Sequence, residues 1–227
     1  MSSRPDLSPL HQHYVDPGSI QDKTTGYLQE LAPYSQRDIR FDLSAAALVL
    51  VDLQRCFLNS GHPLYSPNCR AVVPAVAALV EFFRSSGRPV IHTLQKNKAT
   101  EIDRGPVLKT WWPSTPLEDS PDTEPVDELR PLAGEKVIHK RRYSGFHATD
   151  LELTLRSMDI RQVVVAGVFT NVCVEGTVRD AFMRDFFVFM PADATAALNE
   201  QLHLGSLRTM AMWFATVCKS SDLTGLK

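Results

Sequence analysis

From Ala45 onward the chain alternates short runs of Val, Leu and Ile with longer amphipathic stretches, and few architectures accept that rhythm. The runs are AALVLVD (46–52), RPVIHTLQ (88–95), EKVIHK (135–140), RQVVVAGV (161–168), FFVFMPAD (186–193) and FATVCKS (214–220). Near-continuous branched apolar residues, without strict polar alternation, mark strands buried on both faces, the condition of a parallel sheet covered by helices. The stretches between them carry the helical period. Val72, Val76, Leu79 and Phe83 share one face ahead of Gly87, which is expected to end that helix. In TDLELTLRSM, Thr149 followed by Glu152 predicts a capping box, and Leu151, Leu155 and Met158 form the apolar stripe. Leu207, Met210, Ala211 and Phe214 make a further stripe that core packing explains. The fold class is therefore α/β with a parallel sheet.

Two segments stand outside the rhythm. Residues 1–44 are polar and turn-rich, with Pro5, Pro9, Pro17 and Pro33, and show no sustained period. They are expected to be an arm that wraps the domain or a neighbouring subunit. The remaining residues, 45–227, form one domain, since a chain of 227 residues with 44% hydrophobic composition suits a single full-sized core. Residues 96–131 are rich in proline and charge, and an excursion of that length reads as a wall or lid over a site. A formal net charge of -2 gives no global field that would recruit nucleic acid or an acidic membrane, so the expected partner is a small molecule. The four cysteines lack zinc-ribbon or thioredoxin spacing, the opening MSSRPDLSPLHQHYVD lacks the apolar core of a signal peptide, and no run approaches a membrane span. Free thiols in a reducing cytoplasm are expected.

Ligands of an open parallel sheet sit beyond the carboxyl ends of its strands. Asp52 closes the first run, Thr93 and Gln95 the second, Lys140 the third, and Cys173 follows the fourth by one tight turn. A cysteine opening a helix has its thiolate stabilised by the helix dipole, and a nearby Lys ammonium is expected to lower its pKa further. A carboxylate in reach holds the Lys and moves protons, which makes an activated nucleophile for a carbonyl carbon, and unpaired N–H groups of the turn suit the resulting oxyanion. Taken singly, Cys173 also reads as core filler and Lys140, in HKRRY, as part of a solvated basic patch. Asp52 is harder to dismiss, because a carboxylate ending an all-apolar strand must find a partner. Their joint occurrence at three strand ends favours the catalytic reading.

The motifs VDLQRCF, KRRYSGF and GVFTNVCVEGTVRDA, in this order and spacing, resemble the isochorismatase-like cysteine hydrolase superfamily over about residues 45–222. The resemblance implies a three-layer, doubly wound sheet of six parallel strands, Rossmann-like, with helices on both faces, which agrees with the six runs. It implies a catalytic triad of Asp52, Lys140 and Cys173, a cis peptide at Val168–Phe169, and an oxyanion hole from the backbone N–H groups of Phe169 and Cys173. The implied reaction is hydrolysis of a small amide, carbamoyl or ureido compound through a thioester. Members that are nicotinamidases carry a metal on an Asp-x-His arrangement after the second strand; this chain reads HTLQKNKATEID there, so no metal and no cofactor are expected. True isochorismatases, which cleave a vinyl ether, usually lack the cysteine, and RYSGF with TNVCVE looks closest to the ureidoacrylate and N-carbamoyl amidohydrolase branch; the alternatives are a vinyl ether or ester hydrolase on the same fold and a non-catalytic member in which Cys173 is a redox-sensitive thiol. A dimer or tetramer is the assembly that the family implies.

Further pocket residues follow from their places in the motifs. Phe57 and Tyr143 lie close enough to the triad residues to line the pocket, whereas Phe146 reads as core. Gln54 and Gln95 are candidates to bind a substrate amide, or are simply solvated. Trp111 and Trp112 serve either as an aromatic wall over the substrate or as anchors for the excursion. His92 and His147 lack the spacing of a helical metal pair. Glu175 and Arg179, four apart, read as an ordinary helix salt bridge.

Overall fold

The apolar runs assemble into one all-parallel sheet in the computed structural model, which describes residues 10–35, 37, 39–100, 102–112 and 115–225. Its strands are β1 (Ala46–Val51), β2 (Val90–Gln95), β3 (Lys136–Lys140), β4 (Gln162–Val168), β5 (Phe187–Pro191), β6 (Thr195–Ala196) and β7 (Thr216–Cys218). The order across the sheet is β3-β2-β1-β4-β5-β7, with β6 paired to the end of β4. All six expected runs are strands. The additional strand, β6, has two residues, too few for any period to register.

The helices are α1 (Ile20–Leu31), α2 (Arg55–Leu58), α3 (Pro67–Ala71), α4 (Val73–Ser85), α5 (Gly105–Trp111), α6 (Leu151–Ser157), α7 (Glu175–Phe182), α8 (Glu200–Trp213) and α9 (Ser220–Thr224). Successive residues of a strand point to opposite faces, and the sheet uses this to fill two separate cores. Leu48, Leu50, Val164 and Ala166 pack with Val76, Leu79 and Phe83 of α4 and Leu223 of α9. Ala47, Val49, Val51, Val163 and Val165 pack on the other side with α6, α7 and α8 through Leu151, Leu155, Val178, Leu207 and Met210. Burial on both faces is the reason β1, β2 and β4 read as continuous apolar runs, whereas the edge strand β3 exposes Val137 and His139 and carries polar residues in its run. Among the described residues no helix is long and apolar enough to cross a membrane.

Three local expectations need correction. Within the turn-rich 1–44 segment, α1 buries Ile20, Thr24, Tyr27 and Leu31, a helical stripe hidden from the sequence by its polar second member. Tyr27 donates from its hydroxyl to Glu200 at 2.6 Å, and Lys23 pairs with the same carboxylate, so α1 is tied to α8. Residues 1–9 of the expected arm lie outside the described residues. The capping box at α6 does not form: the Thr149 hydroxyl donates to Gly145 O at 2.6 Å while accepting from Leu151 N–H, and Glu152 turns to Arg184. Met158 leaves its stripe, being 38% exposed at the α6 C-cap.

The 96–131 excursion contributes α5 and then doubles back on the first motif. Arg55 N–H donates to Glu124 O, Val126 N–H donates to Leu53 O, and Gln54 bridges to Pro125. These bonds place its second half beside the carboxyl end of β1.

Close approach of β1 and β4 at that same end requires Gly167. It pairs with Val51, has φ 133°, and a Cβ there would lie 2.0 Å from Val51 O. Gly205, by contrast, faces open space within α8. Gly167→Ala is expected to lower unfolding stability by about 3 kcal/mol or more, and Gly205→Ala to leave it unchanged or raise it by up to about 1 kcal/mol. Urea unfolding of the two variants checks both values.

Candidate active site

Reversal of strand order between β1 and β4 opens a crevice at their carboxyl ends, and the polar residues that close the neighbouring strands meet there. Asp52 follows β1 in the left-handed region, φ 53°, and its backbone N–H donates to Thr93 O of β2. Its side chain is completely buried. Oδ1 accepts the Gln95 backbone N–H at 2.9 Å, and Oδ2 stands 2.8 Å from Lys140 Nζ.

Lys140 comes from β3, which is two strands away from β1, a span of roughly 9.5 Å. Only a long side chain crosses the end of the intervening β2. The fully buried ammonium donates to Gln95 Oε1 at 3.0 Å and to Arg142 O at 3.1 Å in addition to meeting Asp52.

Cys173 sits in a wide turn of π type, residues Thr170–Val174, that leads from β4 into α7. Such turns are frequent at functional sites because the extra residue re-aims a side chain. The turn follows the Val168–Phe169 peptide bond, which is cis. It is braced from behind: Thr177 Oγ1 donates to Cys173 O at 2.7 Å and accepts Gly145 N–H at 3.0 Å, which fastens the loop after Lys140 to the helix that follows the cysteine. Thr170 Oγ1 contacts His203 Nδ1 at 2.9 Å, and Ser206 Oγ donates to Glu175 at 2.6 Å. Glu175 and Arg179 form the expected helix pair.

The Cys173 thiol interacts with both Asp52 and Lys140. Burial pushes its pKa up, the Lys140 ammonium pulls it down and the Asp52 carboxylate pushes it up again, with a net rise. This corrects the expectation of a lowered pKa: the cysteine is nearly enclosed at 7% exposure, and removal from water outweighs the single cation beside it. Burial likewise lifts Asp52 above the ordinary carboxylate range against the pull of Lys140. Lys140 moves upward, because Asp52 and Cys173 together outweigh its own burial. The resting arrangement is thus a thiol beside a basic carboxylate and a fixed ammonium.

The other expected site residues divide into two groups. Gln54 is buried and its amide is engaged internally, donating to Gln95 O and Thr123 O and accepting from Gln95 N–H, which leaves it no group for a substrate. The Gln95 amide joins Lys140 to Asn97, so both glutamines hold the site together instead of facing outward. Phe57 is buried and meets the Phe169 ring edge-on at 5.5 Å. Trp112 donates from Nε1 to the Tyr143 hydroxyl at 2.6 Å, and Tyr143 packs over Gly176 at the start of α7. Trp111 is 67% exposed. With Tyr143, Arg142 and α5 it borders an open cleft of about 450 Å³. A larger hollow of about 500 Å³ lies at the starts of β5 and β7, the opposite end of the sheet from Asp52.

After β2, Lys96 pairs with Glu124, and the Gln95 and Asn97 amides bond to each other, a set whose one carboxylate is already held by an ammonium and which does not suit a divalent ion. His92 is paired with Glu135 at 3.1 Å and His147 lies on the surface. Among the described residues no group of three or more His, Cys, Asp or Glu is placed to hold a metal. Sequence reasoning missed Asn97, Thr170, Thr177 and His203. Thr177, one helical turn after Cys173, had a readable spacing; the others are joined only by the fold.

Comparison with known proteins places these motifs in context. The Isochorismatase domain family model matches residues 46–222. Enterobactin synthase component B of Escherichia coli K12 is 34% identical over 195 residues, covering 84% of this chain and 66% of that protein, so the chain spans just under two thirds of that relative. Ureidoacrylate amidohydrolase RutB of Methylobacterium radiotolerans is 30% identical, covering 94% of this chain and 90% of the relative. Among solved structures, a cysteine hydrolase from Pseudomonas syringae pv. phaseolicola 1448A superposes with a TM-score of 0.80 at 27% identity, over 84% of this chain and 97% of the other.

The support behind the cysteine turn has a pH signature. His203 lies between the Tyr14 and Tyr27 rings, and burial pulls its pKa from the ordinary 6.5 down to about 3. Between those values the unfolded chain binds a proton that the folded chain refuses. Stability present above pH 6.5 is therefore lost on acidification, with a slope approaching about 1.4 kcal/mol per pH unit from this group. His203→Gln is expected to flatten the stability profile between pH 6.5 and 4, as read by urea unfolding at several pH values.

Proposed function

Since the chain belongs to the isochorismatase family, we propose that it is a cysteine hydrolase cleaving a C–N bond, other than a peptide bond, of a small linear amide, carbamoyl or ureido compound. The observation that carries this reading is the buried meeting of Asp52, Lys140 and Cys173 where strand order reverses. The likeness to RutB, named a ureidoacrylate amidohydrolase, supports the choice of bond.

In this mechanism Cys173 attacks the substrate carbonyl while Asp52 takes the thiol proton, which suits a cysteine at rest as thiol beside a carboxylate of raised pKa. Lys140 stays cationic and stabilises the thiolate character that develops as the proton leaves. The backbone N–H groups of Phe169 and Cys173 receive the oxyanion. The C–N bond breaks, Asp52 returns its proton to the departing amine, and the acyl group remains on sulfur. A water then gives its proton to Asp52 as its oxygen attacks the thioester carbonyl, the C–S bond breaks, and Asp52 passes the proton to the leaving sulfur, which releases the acid and restores the free thiol.

Phe57, Trp111, Trp112 and Tyr143 are the substrate contacts in this reading, and Gln54 and Gln95 act from within as supports. The enzyme works in the cytoplasm as a dimer or tetramer without a cofactor, on a small molecule, with residues 1–44 as an arm to the catalytic domain 45–227.

Ammonia release from a panel of primary amides, N-carbamoyl amino acids and ureido acids tests the proposal. Cys173→Ala is expected to abolish turnover and Asp52→Asn to lower kcat by about 10²–10⁴-fold, with both variants folded. Hydrolysis that persists in Cys173→Ala would instead favour a vinyl ether or ester hydrolase that does not use the thiol.

A further inference from the structure

The amides around Lys140 admit one arrangement. An ammonium donates and never accepts, so Gln95 must turn Oε1 toward Lys140 Nζ, which it does at 3.0 Å. Its Nε2 then faces Asn97, whose Oδ1 accepts at 2.9 Å. Asn97 is consequently forced to direct Nδ2 elsewhere, and that buried nitrogen has no hydrogen-bond partner among the described residues. Rotating the Asn97 amide would set two NH₂ groups against each other. A fold that keeps a buried donor unpaired in order to preserve one amide orientation has that orientation dictated by something else, here the cation.

Asn97 is well placed to hold it. The residue is completely buried, its N–H donates to Pro116 O at 2.9 Å and its carbonyl accepts Glu118 N–H at 2.9 Å. The 96–131 excursion therefore clamps the far end of a chain that runs Asn97, Gln95, Lys140, Asp52.

We propose that Asn97 is a positioning residue for Lys140: it locks the Gln95 amide so that Oε1 holds the ammonium between Asp52 and Cys173. The proposal rests on the catalytic reading of those three residues. Without the Asn97 acceptor the Gln95 amide is free to rotate, and Lys140 relaxes toward its remaining partners, Asp52 and Arg142 O. The cation then stands less well placed to stabilise the thiolate at Cys173.

The test is labelling with iodoacetamide at pH 8, followed at each cysteine by peptide mass spectrometry. Asn97→Leu is expected to slow Cys173 labelling about fivefold or more, the scale of one lost hydrogen bond, with Cys56, Cys69 and Cys218 unchanged. Gln95→Met should slow it at least as much, and the double variant should match Gln95→Met alone because Asn97 acts through Gln95. Wild-type labelling of Cys173 in Asn97→Leu, or a double variant slowed by the product of the single effects, would overturn the proposal. General loosening would speed labelling of all four cysteines; Asn97→Ala is then read in place of Asn97→Leu. Unfolding of both makes Asn97 a residue of the fold and overturns the positioning role. If wild-type Cys173 reacts no faster than the other three, the catalytic reading itself fails, a result separate from failure at Asn97.

Discussion

Two opposite charges, Asp52 and Lys140, stand 2.8 Å apart with their side chains closed to water, and the arrangement around them follows from that pair. Each ion loses hydration worth several kcal/mol, and the attraction between them offsets the loss only where the other lone pairs and protons have partners. The structure supplies these: Gln95 N–H for Asp52, and Gln95 Oε1 and Arg142 O for Lys140. Removing one member of such a pair leaves an uncompensated buried charge, a change costing about 3–5 kcal/mol. A site of this kind contributes little net stability, and its retention agrees with a chemical use for the charges.

Sheet topology makes the pair possible. Asp52 and Cys173 follow β1 and β4, neighbours at the point where strand order reverses, while Lys140 reaches over β2 from one strand further out. The end of β2 lies under the lysine, so Gln95 serves both partners, its backbone on Asp52 and its side chain on Lys140. Thr177 then fixes the loop after Lys140 to the helix that follows Cys173. Gly167 lets β4 approach Val51 closely enough for the two strand ends to share one crevice. Local backbone geometry and a long-range ion pair specify the same place.

Much of this was legible in the residues. The apolar runs are visible because the central strands β1, β2 and β4 are buried on both faces, and Asp52, Lys140 and Cys173 are visible because polar groups at the ends of such runs are conspicuous. The illegible parts depend on distance in sequence. Nothing near Gln54 announces that its amide will be used by Gln95 and Thr123, so it reads as a substrate contact when it is a brace. The direction of the Cys173 pKa shift was also hidden: spacing reveals the cation nearby, whereas enclosure, the larger effect, exists only in the folded molecule. α1 was missed because one of its four buried positions is a threonine.

The most direct measurement of the central claim is intact-protein mass spectrometry after rapid mixing with the amide and carbamoyl panel and acid quenching. The account predicts a transient mass increase equal to the substrate's acyl group, mapped to the peptide containing Cys173 and absent from Cys173→Ser. Turnover of a panel compound with no acyl group on Cys173 at any time, and with undiminished rate in Cys173→Ser, would contradict it.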